Sequence, residues 1–243
     1  MYTPTAAHVP GLTRKHQSRF ESNYAGTGFD LMGAYAITDR LAIEGSWYFR
    51  HELQYVDSAY HPISRYWQVP DSVRYLRLLS SIGLAYTFPF DRDRHFFLST
   101  SAGYGKGRLR MSERDMSSRN ANGMPPAHFS QYYASMQRVY VQPAFLVQYD
   151  AVQVIASLRW SWVRYGFRHG TTLEPFDVSP HQTYCFHEVA ATLRYSPPKI
   201  RWLAFELQLG EAVASRKVTF LFHNFVGGLG VAIDPVRLFG RAP

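Results

Sequence analysis

From Val152 to Arg164 an apolar residue falls at nearly every second position. Val154, Ala156, Leu158, Trp160 and Trp162 share one side; Gln153, Ser157, Arg159 and Ser161 share the other, with Ile155 the exception. A strand turns successive side chains to opposite faces, so this alternation predicts a strand with one apolar face. The same period returns along the chain. In 28–37 the apolar side is Phe29, Leu31, Tyr35 and Ile37; in 41–51 it is Leu41, Ile43, Trp47 and Phe49. In 186–196 it is Val189, Ala191, Leu193 and Tyr195; in 200–211 it is Leu203, Phe205, Leu207 and Leu209. Looser versions occupy 17–25, 75–88, 95–110, 133–149 and 217–233, which makes about ten strands, and no helical stripe of comparable length competes.

The connections alternate as well. Thr38-Asp39-Arg40, Pro89 to Arg94, Asp150-Ala151 and Ser196 to Lys199 are short, turn-rich links. Longer loops lie between them at 53–74, 111–131 and 169–183, while 26–27 and 214–216 are short links on the long-loop side. Short turns at one end and long loops at the other describe an antiparallel up-and-down barrel.

Alternation alone does not say which face looks outward. A soluble barrel turns its apolar face in, and an outer-membrane barrel turns it toward lipid. Three features favour the membrane. The polar face is small, rich in Gly, Ala, Ser and Thr, as a crowded interior requires. It lacks lysine: of 26 basic residues only Lys15, Lys106, Lys199 and Lys217 are lysines, and arginine suits confined, hydrogen-bonded places. Aromatics mark the apolar face near strand ends: Phe29, Trp47, Phe49, Tyr86, Phe88, Tyr149, Trp160, Trp162 and Tyr195. These are positioned as interfacial girdles. No run approaches the roughly 18 apolar residues of a membrane helix, but a strand crosses with about 9–11.

The expectation is a single all-β domain, a transmembrane barrel of about ten strands, with eight or twelve as the counting alternatives. It places a periplasmic lead at 1–15, the barrel at 16–239 and a tail at 240–243, with both termini periplasmic. The rival fold is a soluble lipocalin-like carrier with an apolar cavity. Met1-Tyr2-Thr3-Pro4 reads as a mature start from which an export signal has been removed. The formal net charge of +8 is spread without a dense basic tract, which argues against nucleic acid as a partner. Cys185 is the one cysteine, so no internal disulfide forms.

The opening Tyr2-Thr3-Pro4-Thr5-Ala6-Ala7-His8-Val9-Pro10 resembles a Y-x-P-x-x-x-x-x-P lead segment of small outer-membrane β-barrel proteins of Bacteroidota. The hairpin from Gly28 to Ile43 is similar to that group's G-x-D-x-x-x-A-Y-A-x-T-D-x-L-x-I first hairpin. The resemblance implies an outer-membrane barrel whose lead follows an exported, often lipidated, N-terminus. It implies no particular activity.

Alternation points a set of charges inward: Arg19, Arg50, Arg77, Arg159 and Arg194, with Glu21, Asp30, Glu44, Glu188 and Glu206. Unpaired charges in a narrow interior are very costly, so Arg–carboxylate pairing is expected. The leading reading is a charge network that fills the lumen of a non-enzymatic barrel, a structural or accessory subunit of an outer-membrane complex. A narrow porin-like channel is the rival function. The ten histidines are scattered; His181 and His187 lie near one loop without a shared strand spacing. Nothing in the pattern asks for a catalytic residue, a metal or a cofactor. Tyr55, Tyr60, Tyr66 and Trp67 form a set of exposed loop aromatics suited to the barrel mouth or to a partner.

Ser99 to Met111 carries Gly103, Gly105 and Gly107 at alternate positions, which looks like a phosphate loop. The stretch lacks the Lys-Ser/Thr pair and the helix such a loop needs. Period two puts Ser99, Ser101 and the three glycines on the inner face, a stripe almost without side chains. Glycine in a strand marks close approach by something else. The lead segment, a folded-in loop or a large inward side chain such as Arg77 is expected there.

Overall fold

The computed structural model describes residues 9–25, 28–56, 71–115, 128–170, 183–215 and 225–239. Among them run ten strands: β1 (Ser18–Ala25), β2 (Gly28–Ala36), β3 (Leu41–Val56), β4 (Asp71–Pro89), β5 (Phe96–Asp115), β6 (His128–Tyr149), β7 (Val152–Gly170), β8 (Thr183–Tyr195), β9 (Leu203–Ala214) and β10 (Phe225–Ile233). A short helix, α1 (Pro235–Phe239), follows. Each strand pairs antiparallel with its sequence neighbours, and β10 pairs back onto β1, so the sheet closes. Closure leaves no edge of unpaired backbone groups, the condition for a sheet to sit in lipid.

The two faces are sorted as in a membrane barrel. Outward stand Leu31, Ile43, Ile82, Leu84, Leu98, Val139, Phe145, Val154, Val189, Leu193, Leu207 and Leu229, all exposed. Inward and buried are Glu21, Asp30, Glu44, Ser99, Ser101, Gln142, Ser157, Ser161, Thr192 and Gln208. An apolar cavity of the lipocalin kind is therefore absent among the described residues, and that alternative is overturned. Exposed aromatics ring both ends of the apolar wall: Tyr35, Tyr86, Phe88, Phe96, Tyr149 and Tyr195 toward the turns, Tyr24, Trp47, Tyr104 and Trp162 toward the loops.

The strands reach further toward the loops than alternation indicated. β3 runs to Val56, β4 starts at Asp71, β5 runs to Asp115 and β6 starts at His128. Tyr55, expected in a loop, lies on β3 and pairs with Ser72. Beyond the lipid both faces can be polar, so ladder hydrogen bonds continue where the hydrophobic period stops. Tyr60, Tyr66 and Trp67 fall outside the described residues. At the other end, the expected strand start at residue 200 is a turn, closed by Leu203 N–H donating to the Ile200 carbonyl at 3.0 Å.

Residues ahead of β1 fold into the turn end of the barrel. Val9 is buried with Phe97, Ala144, Leu146 and Ile155. Leu12 is buried with Met32, Ala34, Ala36, Ala42 and Ala85. Between them Gly11 takes φ +57°, and a side chain there would meet Gln153 and Leu146. Small alanines on the inner wall leave the width that this segment occupies.

Candidate functional site

Eight of the ten inward charges predicted from the sequence are buried: Glu21, Asp30, Glu44, Arg77, Arg159, Glu188, Arg194 and Glu206. Arg19 and Arg50 are half-buried. They follow one another along the barrel axis, because register sets their height.

At the turn end, under the lead segment, Arg194 reaches three strands. Its Nη2 donates to Glu21 Oε1 at 2.5 Å, its Nη1 to Gln153 Oε1 at 2.5 Å, and its Nε to Glu206. Two carboxylates thus share one guanidinium. Arg19 donates to the Pro10 carbonyl at 2.5 Å and so ties the lead to β1. Buried charges of this kind are tolerable only when paired and hydrogen-bonded.

In the middle, Arg159 of β7 faces Glu188 of β8 in register. Nε and Nη2 of Arg159 donate to both carboxylate oxygens, the two-point geometry that a planar guanidinium favours. Ser161 Oγ donates to the same carboxylate at 2.7 Å. Toward the loops, Arg50 hydrogen-bonds Tyr48 within the field of Arg77 and Asp30.

The glycine stripe is explained by a residue that sequence reasoning missed. Glu44, Gly83, Gly103 and Tyr140 stand opposite one another on β3, β4, β5 and β6. Tyr140 lies along the inner wall across both glycines, and its hydroxyl donates to Glu44 Oε1 at 2.7 Å. A Cβ on Gly83 would sit 2.6 Å from the Tyr140 hydroxyl, and one on Gly103 would sit 2.5 Å from it. Below Gly105 and Gly107 the space is taken by Leu79 and, at Gly107, by Met136. The sequence leads one to expect a large inward side chain here, and it is Tyr140. Arg77, expected as one example, pairs across from Leu109, one step beyond the stripe, and the lead packs at the turn end.

Arg138 was missed too. It is buried beside the face of Tyr140, 5.2 Å from the ring centroid. Its sequence signal was the alternation of Met136, Arg138, Tyr140 and Gln142 against Val139, Val141 and Phe145. Arg138, Tyr140, Gln142 and Arg159 line a cavity of about 20 Å³ with Glu44, Ser46 and Ser81. That holds about one water molecule. Among the described residues, the lumen holds buried Arg–carboxylate pairs of Arg159 with Glu188 and of Arg194 with Glu21 and Glu206.

Elsewhere Asp91, Asp93 and His95 gather on the exposed β4–β5 turn with ligand atoms within 4.8 Å of one another. The Asp91 carboxylate is already engaged there, accepting from Phe96 N–H at 2.8 Å and His95 N–H at 3.0 Å.

A closed antiparallel ten-stranded barrel with an apolar exterior and a polar interior is an outer-membrane β-barrel fold. One solved structure reaches the same fold. The outer membrane protease OmpT from Escherichia coli is similar over 90% of this chain and 93% of its own, with 12% identity and TM-score 0.50. The translocator domain of autotransporter NalP from Neisseria meningitidis matches over 89% of this chain and 86% of its own, with 10% identity and TM-score 0.49. CarO from Acinetobacter baumannii matches over 92% and 99%, with 10% identity and TM-score 0.37. At such identities the likeness is one of fold. No protein-family model and no curated protein matches the sequence.

Proposed function

We propose that this chain is an integral barrel of a bacterial outer membrane whose lumen is closed, acting as a non-enzymatic structural or accessory element. A fold shared with a protease and a translocator domain assigns neither activity. The observation that carries the reading is the filled interior: the lead segment at the turn end, Arg194 between Glu21 and Glu206, and Arg159 on Glu188. Such a barrel anchors its loops at the membrane surface, where another outer-membrane protein can dock on them. The start of β1 and the end of β10 lie at the turn end, which on this reading is periplasmic.

Planar bilayer recording tests the closed lumen. The expected trace shows no steady conductance; a steady, salt-dependent conductance overturns the reading in favour of a narrow channel. The Bacteroidota-type assignment rests on the opening segment and the first hairpin. Mass spectrometry of the native N-terminus tests the lipid anchor it implies, and an unmodified terminus ends that idea.

A further inference from the structure

The outward wall changes character abruptly on β5, β6 and β7. On β5 the outward residues are Phe96, Leu98, Thr100, Ala102 and Tyr104, then Lys106, Arg108 and Arg110, all exposed. On β7 they run from Val152 to Trp162 and then give Arg164; on β6 they run from Tyr149 to Val139 and then give Gln137. The change falls in one row of the ladder, since Lys106 pairs with Gln137 and Gln137 with Arg164. Directly beneath lies the row Tyr104, Val139 and Trp162. From Phe96 to Tyr104 a tilted strand rises roughly 20 Å, close to the ~25 Å apolar band of outer-membrane barrels. The cations therefore begin where headgroups begin.

The patch is of one sign. Residues 96–110, 133–149 and 152–166 contain no Asp or Glu. At the turn end most cations stand beside acids: Arg40 follows Asp39, Arg92 and Arg94 alternate with Asp91 and Asp93, and Arg237 pairs with Asp234 at 3.3 Å. Lys199 and Arg201, which have no acid beside them in sequence, are only two. The patch is also braced by rings. Lys106 Nζ lies 5.9 Å from the Tyr104 ring centroid, and the Arg110 guanidinium lies 5.3 Å from that of Tyr133. With strands ~4.8 Å apart and outward residues ~6.8 Å apart along a strand, the four cations cover a field of about 14 by 10 Å.

We propose that Lys106, Arg108, Arg110 and Arg164 bind the headgroup of a phosphorylated glycolipid in the membrane leaflet at the loop end. The proposal rests on the membrane reading above. A ligand that meets the cations and the Tyr104–Val139–Trp162 shelf together is an amphiphile, with acyl chains below and phosphate above. The field is wider than one glycerophosphate charge, so a headgroup with several phosphates matches it. Gln137, between the cations, supplies hydrogen bonds to sugar hydroxyls; Ser135 Oγ already donates to the Gly166 carbonyl at 3.1 Å and is left as an acceptor.

Native mass spectrometry of the full chain in detergent micelles tests this, with diphosphoryl lipid A, phosphatidylglycerol and phosphatidylcholine as probes. The wild type is expected to bind lipid A at least about tenfold more tightly than phosphatidylglycerol, and phosphatidylcholine least. The variant Lys106→Gln/Arg108→Gln/Arg110→Gln/Arg164→Gln is expected to lose that preference. The turn-end variant Arg40→Gln/Arg92→Gln/Arg94→Gln is expected to keep it. Equal lipid A binding by wild type and the fourfold variant overturns the proposal, as does equal wild-type binding of lipid A and phosphatidylglycerol. Should the fourfold variant not give the gel shift of a closed barrel, Lys106→Gln/Arg108→Gln and Arg110→Gln/Arg164→Gln carry the same comparison separately. Wild type that remains monodisperse without detergent sinks the membrane reading and this proposal together. Wild type that inserts in bilayers yet ignores lipid A sinks the proposal alone.

Discussion

Tyr140 is shaped by two missing side chains. Gly83 and Gly103 let its ring lie against the wall and its hydroxyl donate a hydrogen bond to Glu44, a partner 96 positions away in sequence. Tyr140→Phe leaves the ring and removes a donor from a buried carboxylate, so a loss of about 1–2 kcal/mol is expected, read from the urea midpoint in micelles. Gly103→Ala forces a Cβ against the Tyr140 side chain and the Ile82 carbonyl at once, and about 1–3 kcal/mol is expected by the same measurement. The Arg159–Glu188 pair separates two meanings of stability. Arg159→Ala strands a buried carboxylate and is expected to cost about 3–5 kcal/mol, whereas Arg159→Met with Glu188→Met is expected to lie near wild type. A double variant as unstable as the single one would show that shape, and not charge, holds this level. The inward charges were legible because alternation fixes a face. The Tyr140–Glu44 bond was not, because it spans four strands and depends on register, which a sequence of short apolar periods does not state.

At the scale of elements, hairpin turns hold the register at one end. The Asp91 side chain caps the β4–β5 turn by accepting two backbone N–H bonds, and Asp150 opens the β6–β7 turn at φ 47°. Slight desolvation raises the Asp91 carboxyl, but the N–H donors of Phe96 and His95 and the nearby His95 ring outweigh it and hold it below its ordinary value. A carboxyl lowered in the folded state stabilises above its unfolded pKa and gives this up as pH falls through the folded value. Amide protection at Phe96 is therefore expected to fade below about pH 4, and Asp91→Asn to weaken it already at neutral pH, both by hydrogen exchange. Strand ends near the turns were readable from Pro and Asp, the start of β9 excepted. Those near the loops were not, since β5 and β6 continue where neither face needs to be apolar and the chain carries no period to read.

Taken whole, the molecule turns the usual arrangement of a protein inside out, with salt bridges at its centre and leucines outside. The central pairs are screened from dissolved ions by the wall around them. Raising salt from 0.1 to 1 M is therefore expected to leave the unfolding midpoint nearly unchanged, while binding at the Lys106–Arg164 face weakens over the same range. A midpoint that falls steeply with salt would mean that water and ions reach the lumen.

The seam where the ring closes sets an order of events. β1 meets β10 over five residue pairs, from Phe20↔Ile233 to Tyr24↔Leu229, against eighteen between β4 and β5. The first strand must wait for the last, and among the described residues their pairing is the shortest of the ring. Until then the sheet has two raw edges whose backbone groups lipid cannot satisfy. A chain stopped short of Phe225 lacks β10, and its sheet stays open between β9 and β1.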